Sequence, residues 1–143
     1  MSVFAVIDTN VVVAALRTKH EDAATALVLN AIVEKRVVPL FSPEIIDEYR
    51  DVLGRPKFGF DPVKVEKVIN LFTSVGECVE PLGSGAVMPD EDDRVFYEVT
   101  LSKEGAKLVT GNAKHFPKSE RVVTPSEFLE ILDSAGTDPA KRP

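Results

Sequence analysis

Short apolar segments rich in β-branched residues alternate along this chain with segments of helical periodicity. Residues 3–7 (VFAVI) are apolar throughout, as in a strand that is buried on both faces of a sheet. Further strands are predicted over residues 36–41, 77–81, 107–110 and 121–123. Because helices separate nearly every pair of strands, we predict an α/β fold with a central, mostly parallel sheet and helices on both faces.

Helix starts are marked clearly at several points of the sequence. Ser42 and Asp61 each precede a proline, so each combines a capping side chain with proline at the first helical position. Thr124 and Glu127 occupy the two ends of a capping box. We predict helices over residues 9–16, 21–35, 43–53, 62–75, 90–102 and 125–133, and a flexible stretch over 82–89.

The composition indicates one globular domain. The chain has 143 residues, of which 44% are hydrophobic and 28% charged, and no linker divides it. We predict a single domain over residues 1–133 and a disordered tail over 134–143, which is polar and contains two prolines. The net charge of -6 argues against nucleic-acid binding through a broad basic face. A polyanionic partner would need local cations or bound metal.

Cysteine content and hydropathy indicate the compartment. Cys78 is the only cysteine, which excludes an intramolecular disulfide, a CxxC redox pair and a cysteine-based zinc site. No basic stretch precedes the first apolar run, and no apolar run is long enough to span a bilayer. We expect a soluble, cytoplasmic protein without a membrane anchor.

Acidic and amide side chains are expected at one edge of the sheet. Asp8 and Asn112 directly follow predicted strands, whose carboxyl ends meet at one edge of a parallel sheet. On a helical wheel of residues 43–53, Glu48 lies at the border of the apolar face, whereas Glu44 lies further round. Residues 89–93 (PDEDD) contribute four consecutive acids, which repel one another unless a cation neutralises them. This combination favours a site for Mg²⁺ or Mn²⁺, which prefer oxygen ligands.

Each of these acids also has a purely structural interpretation. Asp8 taken alone is typical of a helix N-cap, and Glu48 is typical of a solvated charge. The acids of residues 90–93 could serve only as partners of a helix dipole. It is their combination that favours the metal site.

Four segments in this order resemble the PIN-domain family, in particular its bacterial VapC-like branch of toxins from toxin–antitoxin pairs. They are VIDTNVVVAAL (6–16), SPEIIDEYRDVL (42–53), PDEDDRVFYEVT (89–100) and KLVTGNAKHFP (107–117). The resemblance extends over about residues 3–130. It implies a three-layer α/β/α fold and a metal-dependent ribonuclease, with an RNA substrate and a cognate antitoxin as partners. A homodimer is also compatible with the family.

The resemblance also assigns roles to individual residues. It implies that Asp8, Glu48 and Asp93 are catalytic metal ligands, and Thr100, seven residues after Asp93, matches a position where the family often has a small residue. Asp90 matches an additional acid that often precedes the third motif by three residues. Asn112 stands where the family commonly has aspartate, which keeps an oxygen ligand and removes one negative charge. These residues would hold Mg²⁺ or Mn²⁺ for phosphodiester hydrolysis.

Other side chains near the motifs are candidates for supporting roles. Thr9 and Thr110 are expected to orient the carboxylates through hydrogen bonds. Arg94 and Lys114 are candidate phosphate contacts, with a surface salt bridge as the alternative for each. The same two interpretations apply to Arg17, Lys19 and His115.

Three other classes of protein were compared with the pattern. A phosphotransferase of the haloacid dehalogenase type requires a second acid two residues after the first, where this chain has Asn10. A response-regulator receiver has an acidic pair after its first strand, whereas Asp8 stands alone. A weakly active or inactive PIN module that binds an antitoxin or RNA remains the alternative to the ribonuclease.

Overall fold

The computed structural model describes residues 3–135, which form five strands and six α-helices. The strands are β1 (Val3–Ile7), β2 (Val37–Phe41), β3 (Glu77–Cys78), β4 (Lys107–Val109) and β5 (Val122–Val123). The helices are α1 (Thr9–Arg17), α2 (Ala24–Val33), α3 (Pro43–Leu53), α4 (Pro62–Val75), α5 (Arg94–Leu101) and α6 (Pro125–Ala135). Two short 3₁₀ turns, Glu91–Asp93 and Ala113–His115, precede α5 and follow β4 respectively.

The five strands form one sheet in the order β3-β2-β1-β4-β5, and every pair of neighbours is parallel. The predicted α/β fold is therefore confirmed. Strand β1 lies at the centre, where Ala5, Val6 and Ile7 are fully buried. Because Ile7 is paired with Val109, the residues that follow these two strands leave the sheet side by side.

The predicted caps are present at the starts of α3, α4 and α6. The Ser42 hydroxyl accepts from the Ile45 amide, and the Asp61 carboxylate accepts from the Val63 amide at 3.0 Å. At the start of α6, the Thr124 amide donates to the Glu127 carboxylate and the Glu127 amide donates to the Thr124 hydroxyl. Side chains therefore satisfy amide groups that the first turn of each helix leaves unpaired.

An aromatic cluster holds α3 against the sheet. The buried ring of Tyr49 meets Phe72 of α4 edge-on at 5.2 Å and lies 6.4 Å from Phe96 of α5. The Tyr49 hydroxyl also donates a hydrogen bond to the Ile7 carbonyl at the end of β1. This bond fixes the position of α3 relative to β1, and with it the neighbouring Glu48.

Two predicted helices differ from the structure at their starts. Helix α2 begins at Ala24, not at residue 21, because Glu21 and Asp22 are exposed and residues 20–23 form a turn closed by the Ala23 amide. The helix predicted over 90–102 begins as a 3₁₀ turn, since the Asp90 carboxylate accepts from the Asp92 amide at 3.0 Å. Helix α5 itself starts at Arg94.

The stretch over 82–89, predicted to be flexible, is anchored to α5. The Leu82 amide donates to the Glu98 carbonyl, and the Glu98 carboxylate accepts from both the amide and the hydroxyl of Ser84. At the other end Met88 is buried in the core. Seven residues without regular structure are thus held at both ends.

The end of α6 and the lengths of the helices relate to the predicted tail and to the predicted absence of a membrane span. Helix α6 continues to Ala135, two residues beyond its predicted end, and the rest of the predicted tail lies outside the described residues. None of the helices found between residues 3 and 135 has the length and apolarity needed to cross a membrane.

Candidate active site

Asp8 lies at the carboxyl end of the central strand, where its side chain is 7% exposed. Its amide donates to the Val109 carbonyl at 2.9 Å, so the backbone of this residue still belongs to the sheet. Asp8 occupies the N-cap position of α1, where its carboxylate makes no well-formed capping hydrogen bond but lies near enough to the Thr9 and Asn10 amides for them to lower its pKa. An N-cap role alone therefore does not explain why this acid is buried.

Thr110 holds the Asp8 carboxylate in place. The Thr110 hydroxyl donates to Oδ2 of Asp8 at 2.7 Å and accepts from the Asn112 amide at 3.0 Å. Because the Asn112 amide can only donate, it fixes the hydroxyl proton on the side of Asp8. Thr110 thus connects the loop after β4 to the acid after β1.

Two more hydrogen bonds hold the segment after β1, one to α3 and one to the segment after β4. The Thr9 hydroxyl donates to Oε2 of Glu48 at 2.6 Å, which brings α3 to the start of α1. The Asn10 side chain accepts from the Gly111 amide at 3.2 Å. Sequence reasoning used Asn10 only to exclude another family; its position two residues after Asp8 was the available signal for a structural role.

Asp93 completes a group of acids from three separate parts of the chain. Charge repulsion from Asp8 raises the pKa of Asp93, so the two carboxylates lie close enough to interact. The His115 imidazole approaches Oδ2 of Asp93 at 3.6 Å. We refer to Asp8, Glu48 and Asp93 as the acidic centre.

Burial and mutual repulsion make the acidic centre resist ionisation. Burial is the largest cause of the raised pKa of Asp93, about 6, and the charges of Asp8 and Asp90 add to it. Burial also raises the pKa of Asp8, against the opposing effect of the Thr110 hydrogen bond and the amides that follow it. Burial is the largest cause of the raised pKa of Glu48. The hydrogen bond from Thr9 lowers this pKa, and the charge of Asp8 raises it. An added cation would relieve this repulsion.

Asp90 and Asp92 lie at the edge of the acidic centre. The Asp90 side chain caps the 3₁₀ turn, a role different from the helix-dipole partner that its structural interpretation suggested, and its charge also raises the pKa of Asp93. After burial and Asp8, the charge of the exposed Asp92 also raises the pKa of Glu48, so this acid lies within electrostatic reach of Glu48. The four consecutive acids of the PDEDD segment indicated that an acid here could lie near the site. They did not indicate which of the four does so.

The chemistry of the acidic centre fits a hard divalent cation, since its groups are all carboxylate oxygens. Among residues 3–135, no Lys or Arg forms an ion pair with Asp8, Glu48 or Asp93, and His115 is the one basic partner. Within the same residues, no three His, Cys, Asp or Glu side chains are arranged to hold one ion together. Mg²⁺ commonly binds one or two carboxylates and keeps several waters, so direct contact with all three acids is not required.

Arg94 corrects one prediction, because its guanidinium is fully used within the protein. Nε and Nη2 donate to the Glu91 carboxylate at 2.6 and 2.9 Å. The remaining N–H groups donate to the carbonyls of Ser84 and Ala86 and to the Glu98 carboxylate. A guanidinium has five N–H groups, so none is left for a phosphate. Arg94 anchors segment 82–88, in line with the salt-bridge alternative.

The other predicted cations differ in their surroundings. Lys114 is exposed in the turn directly after Asn112, and within residues 3–135 it makes no hydrogen bond or ion pair. It borders a pocket of about 310 Å³ together with Lys118. Arg17 lies at the far end of α1, with its guanidinium 5.9 Å from the ring centre of Phe58. Lys19 is exposed beyond the end of α1.

Comparison with known proteins agrees with this arrangement. The chain is 27% identical to the uncharacterized protein MJ1680 of Methanocaldococcus jannaschii, over 90% of each chain. No solved structure matches the chain significantly. The family model described as PIN domain matches residues 5–114, which include every acid of the centre and Asn112. PIN domains are generally nucleases and typically use divalent metals. This match covers most of the chain, and the protein belongs to the PIN-domain family.

Proposed function

We propose that this protein is a metal-dependent endoribonuclease that hydrolyses phosphodiester bonds of RNA. The observation that carries the proposal is the acidic centre, whose carboxylates follow β1, lie on α3 and precede α5. Beyond the effect of burial, Asp8 raises the pKa of both Glu48 and Asp93, and no Lys or Arg within residues 3–135 forms an ion pair with these acids. Repelling acids at the carboxyl edge of a parallel sheet are what a site for divalent cations requires. Membership of a nuclease family supports the reaction class.

Asp8 and Asp93 are the acids that we assign to Mg²⁺ or Mn²⁺, with Glu48, Asp90 and Asn112 as further ligands, directly or through water. The bound metal would lower the pKa of a coordinated water and polarise the scissile phosphate. The remaining contributions come from the protein. The carboxylates must be ionised to act, which limits activity at low pH because the pKa of Asp93 lies near 6.

The two threonines hold the acids in position before substrate arrives. The bond from Thr110 occupies Oδ2 of Asp8 and leaves Oδ1 for other partners, while the bond from Thr9 leaves Oε1 of Glu48. Each hydroxyl also lowers the pKa of the acid it contacts, which favours the ionised form. Thr9 and Thr110 are therefore positioning residues in this proposal.

The direct test is single-turnover cleavage of an end-labelled RNA with saturating Mg²⁺ or Mn²⁺. We expect Asp8→Asn, Glu48→Gln and Asp93→Asn to lose more than the factor of about 10–100 typical of changes next to metal ligands. Glu44→Gln is the matched control, since Glu44 is exposed one turn before Glu48 on the same helix. Equal cleavage by wild type and Asp8→Asn, or none by either, would refute the nuclease and favour the non-catalytic module.

Metal binding can be measured without RNA. Calorimetric titration with Mn²⁺ should show binding that weakens at least about 10-fold in Asp93→Asn, because the variant removes one charge from the centre. Asp47→Asn removes a charge from the exposed side of α3 and should leave the binding constant unchanged. Unchanged binding in Asp93→Asn would contradict the ligand assignment.

We also propose that the protein is the toxin of a toxin–antitoxin pair, whose cognate antitoxin binds an apolar groove between α1, α2 and α4. The groove has a volume of about 440 Å³, with Leu29 and Leu71 among its apolar lining residues. Lys64 and Lys67 also line it, which favours an acidic amphipathic segment. The product of the adjacent gene should copurify after co-expression, and Val33→Asp, at an exposed position in this groove, should prevent copurification. Absence of copurification with wild type would refute this pairing.

A further inference from the structure

The loop between α3 and α4 carries a stacked pair of aromatic rings. The rings of Phe58 and Phe60 lie 5.4 Å apart with only 10° between their planes. Gly59 has a positive φ of 62°, a backbone conformation that glycine adopts without strain, at the turn between them. Both rings are partly exposed although they also touch the hydrophobic core. We refer to residues 57–60 together with Arg17 as the Phe58 platform.

Two cations of the platform lie close to the Phe58 ring. The Lys57 ammonium lies 5.1 Å from the centre of the Phe58 ring, and the Arg17 guanidinium lies 5.9 Å from it. Both side chains are exposed, and within residues 3–135 neither forms an ion pair with an acid. These two cations lie beside the same aromatic ring and have no acidic partner in the described part of the chain, so they can attract a phosphate backbone although the net charge of the chain is -6.

Phe60 borders an open cleft. The cleft has a volume of about 260 Å³, with aliphatic walls formed by Leu53 and Val65. Arg50 and Glu66 also line it and form an ion pair at 3.3 Å. An aromatic ring beside apolar walls and a donor–acceptor pair are the features that bind an unstacked nucleobase.

The Phe58 platform is connected to the acidic centre by one helix. Helix α1 begins directly after Asp8 and ends at Arg17, a length of about 13 Å at 1.5 Å per residue. Arg55 at the start of the same loop lowers the pKa of Glu48 by its charge, so the loop lies within electrostatic reach of the centre. A single nucleic-acid strand could therefore span both places.

We propose that the Phe58 platform binds single-stranded RNA next to the cleavage site, with a base stacked on Phe60 in the cleft and backbone phosphates on Arg17 and Lys57. The inference rests on the proposed ribonuclease function and specifies the substrate as an unpaired strand, since a base in a duplex cannot reach an aromatic ring. Sequence tolerance follows, because every base has a face that can stack.

The test is the binding of a fluorescein-labelled, unstructured RNA of 12 nucleotides in Ca²⁺, followed by fluorescence anisotropy. Phe60→Leu should weaken binding about 5- to 100-fold, the range for losing one stacked base, and Phe60→Tyr should restore it. Arg17→Gln should weaken binding and reduce its salt dependence. Phe4→Leu is the matched control, because Phe4 is also partly buried beneath a cation, Lys103 at 4.7 Å, at the opposite end of β1 from Asp8.

The outcomes separate this inference from the proposed function. Equal binding by Phe60→Leu and wild type, equal losses in Phe60→Leu and Phe4→Leu, tight binding of a duplex of the same sequence, or no binding by wild type would each overturn the inference. Cleavage by wild type in Mn²⁺ together with any of these results would leave the nuclease intact. RNA binding that requires Phe60 without cleavage in Mn²⁺ would support the Phe58 platform and refute the nuclease. Thermal unfolding of every variant verifies that it is folded.

Discussion

Replacement of Asp93 by asparagine should make the protein more stable at neutral pH while it removes the metal-dependent activity. Asparagine has nearly the same shape as aspartate and lacks its charge, so the variant relieves repulsion from Asp8 and Asp90 without creating a cavity. The increase in stability and the loss of activity have the same cause. An acid that is retained at a cost in stability is typical of a functional site.

The magnitude follows from the pKa of Asp93, which is raised from its ordinary 3.8 to about 6. Between these two values the folded protein holds the proton more tightly than the unfolded chain does. The free energy of unfolding therefore falls as the pH rises from about 4 to about 6 and stays lowered above that range. The full difference corresponds to about 3 kcal/mol, and solvent screening of this partly exposed carboxylate reduces it to about 1 kcal/mol.

Thermal unfolding measured at pH 4 and pH 7.5 tests this reasoning. At pH 7.5 the midpoint for Asp93→Asn should lie about 2–5 °C above that of wild type, and at pH 4 most of the difference should disappear. Saturating Mn²⁺ should stabilise wild type more than the variant, because ligands stabilise the state that binds them. Asp47→Asn, on the exposed side of α3, should shift neither midpoint. An equal difference at both pH values, or none at pH 7.5, would refute the argument.

Three further substitutions examine the contacts around the site. Thr110→Val removes a hydrogen bond to the charged form of Asp8, worth about 1.5–3 kcal/mol, so the pKa of Asp8 should rise and Mn²⁺ binding at pH 6 should weaken; Thr110→Ser should keep the binding of wild type, and unchanged binding in the valine variant would contradict the role. Thr9→Val removes the hydrogen bond that holds the Glu48 carboxylate, so it should lower kcat about 10–100-fold, and Thr9→Ser should restore kcat. Full activity of the valine variant would exclude Thr9 as a positioning residue. Arg94→Gln should make segment 82–88 sensitive to limited proteolysis without weakening RNA binding; weaker binding with an intact segment would restore its predicted phosphate contact.

Much of the fold could be predicted because several local signals coincide. Apolar segments such as Val3–Ile7 and the caps at Ser42, Asp61 and Thr124 each carry a physical marker of a strand or a helix start. The start of α2 has no such marker, since its N-cap is Ala23, which has no side chain able to cap. The prediction there extended the helix into a polar turn.

The burial of the predicted site residues could be inferred from local sequence, whereas the hydrogen bonds between them could not. The helical wheel singled out Glu48 because burial follows periodicity, and the structure places it half-buried beside Thr9 while Glu44 is exposed. The bond from Thr110 to Asp8 depends on the register between β1 and β4, which local sequence does not determine. Arg94 was misassigned because adjacent helical residues point in directions about 100° apart.

The central position of β1 has a consequence for the biosynthesis of this PIN domain. The hydroxyl that orients Asp8 belongs to Thr110, 102 residues later in the chain, and Glu48 is separated from its partner Thr9 by 39 residues. Strand β1 pairs with β2 along one edge and with β4 along the other. Because chains are synthesised from the N-terminus, the edge that pairs with β4 stays unpaired until β4 has been made. A nascent chain that has not reached residue 110 carries Asp8 without the group that orients it. In the proposed ribonuclease, the acidic centre would therefore be complete only when most of the domain has left the ribosome, and RNA nearby would be protected during synthesis.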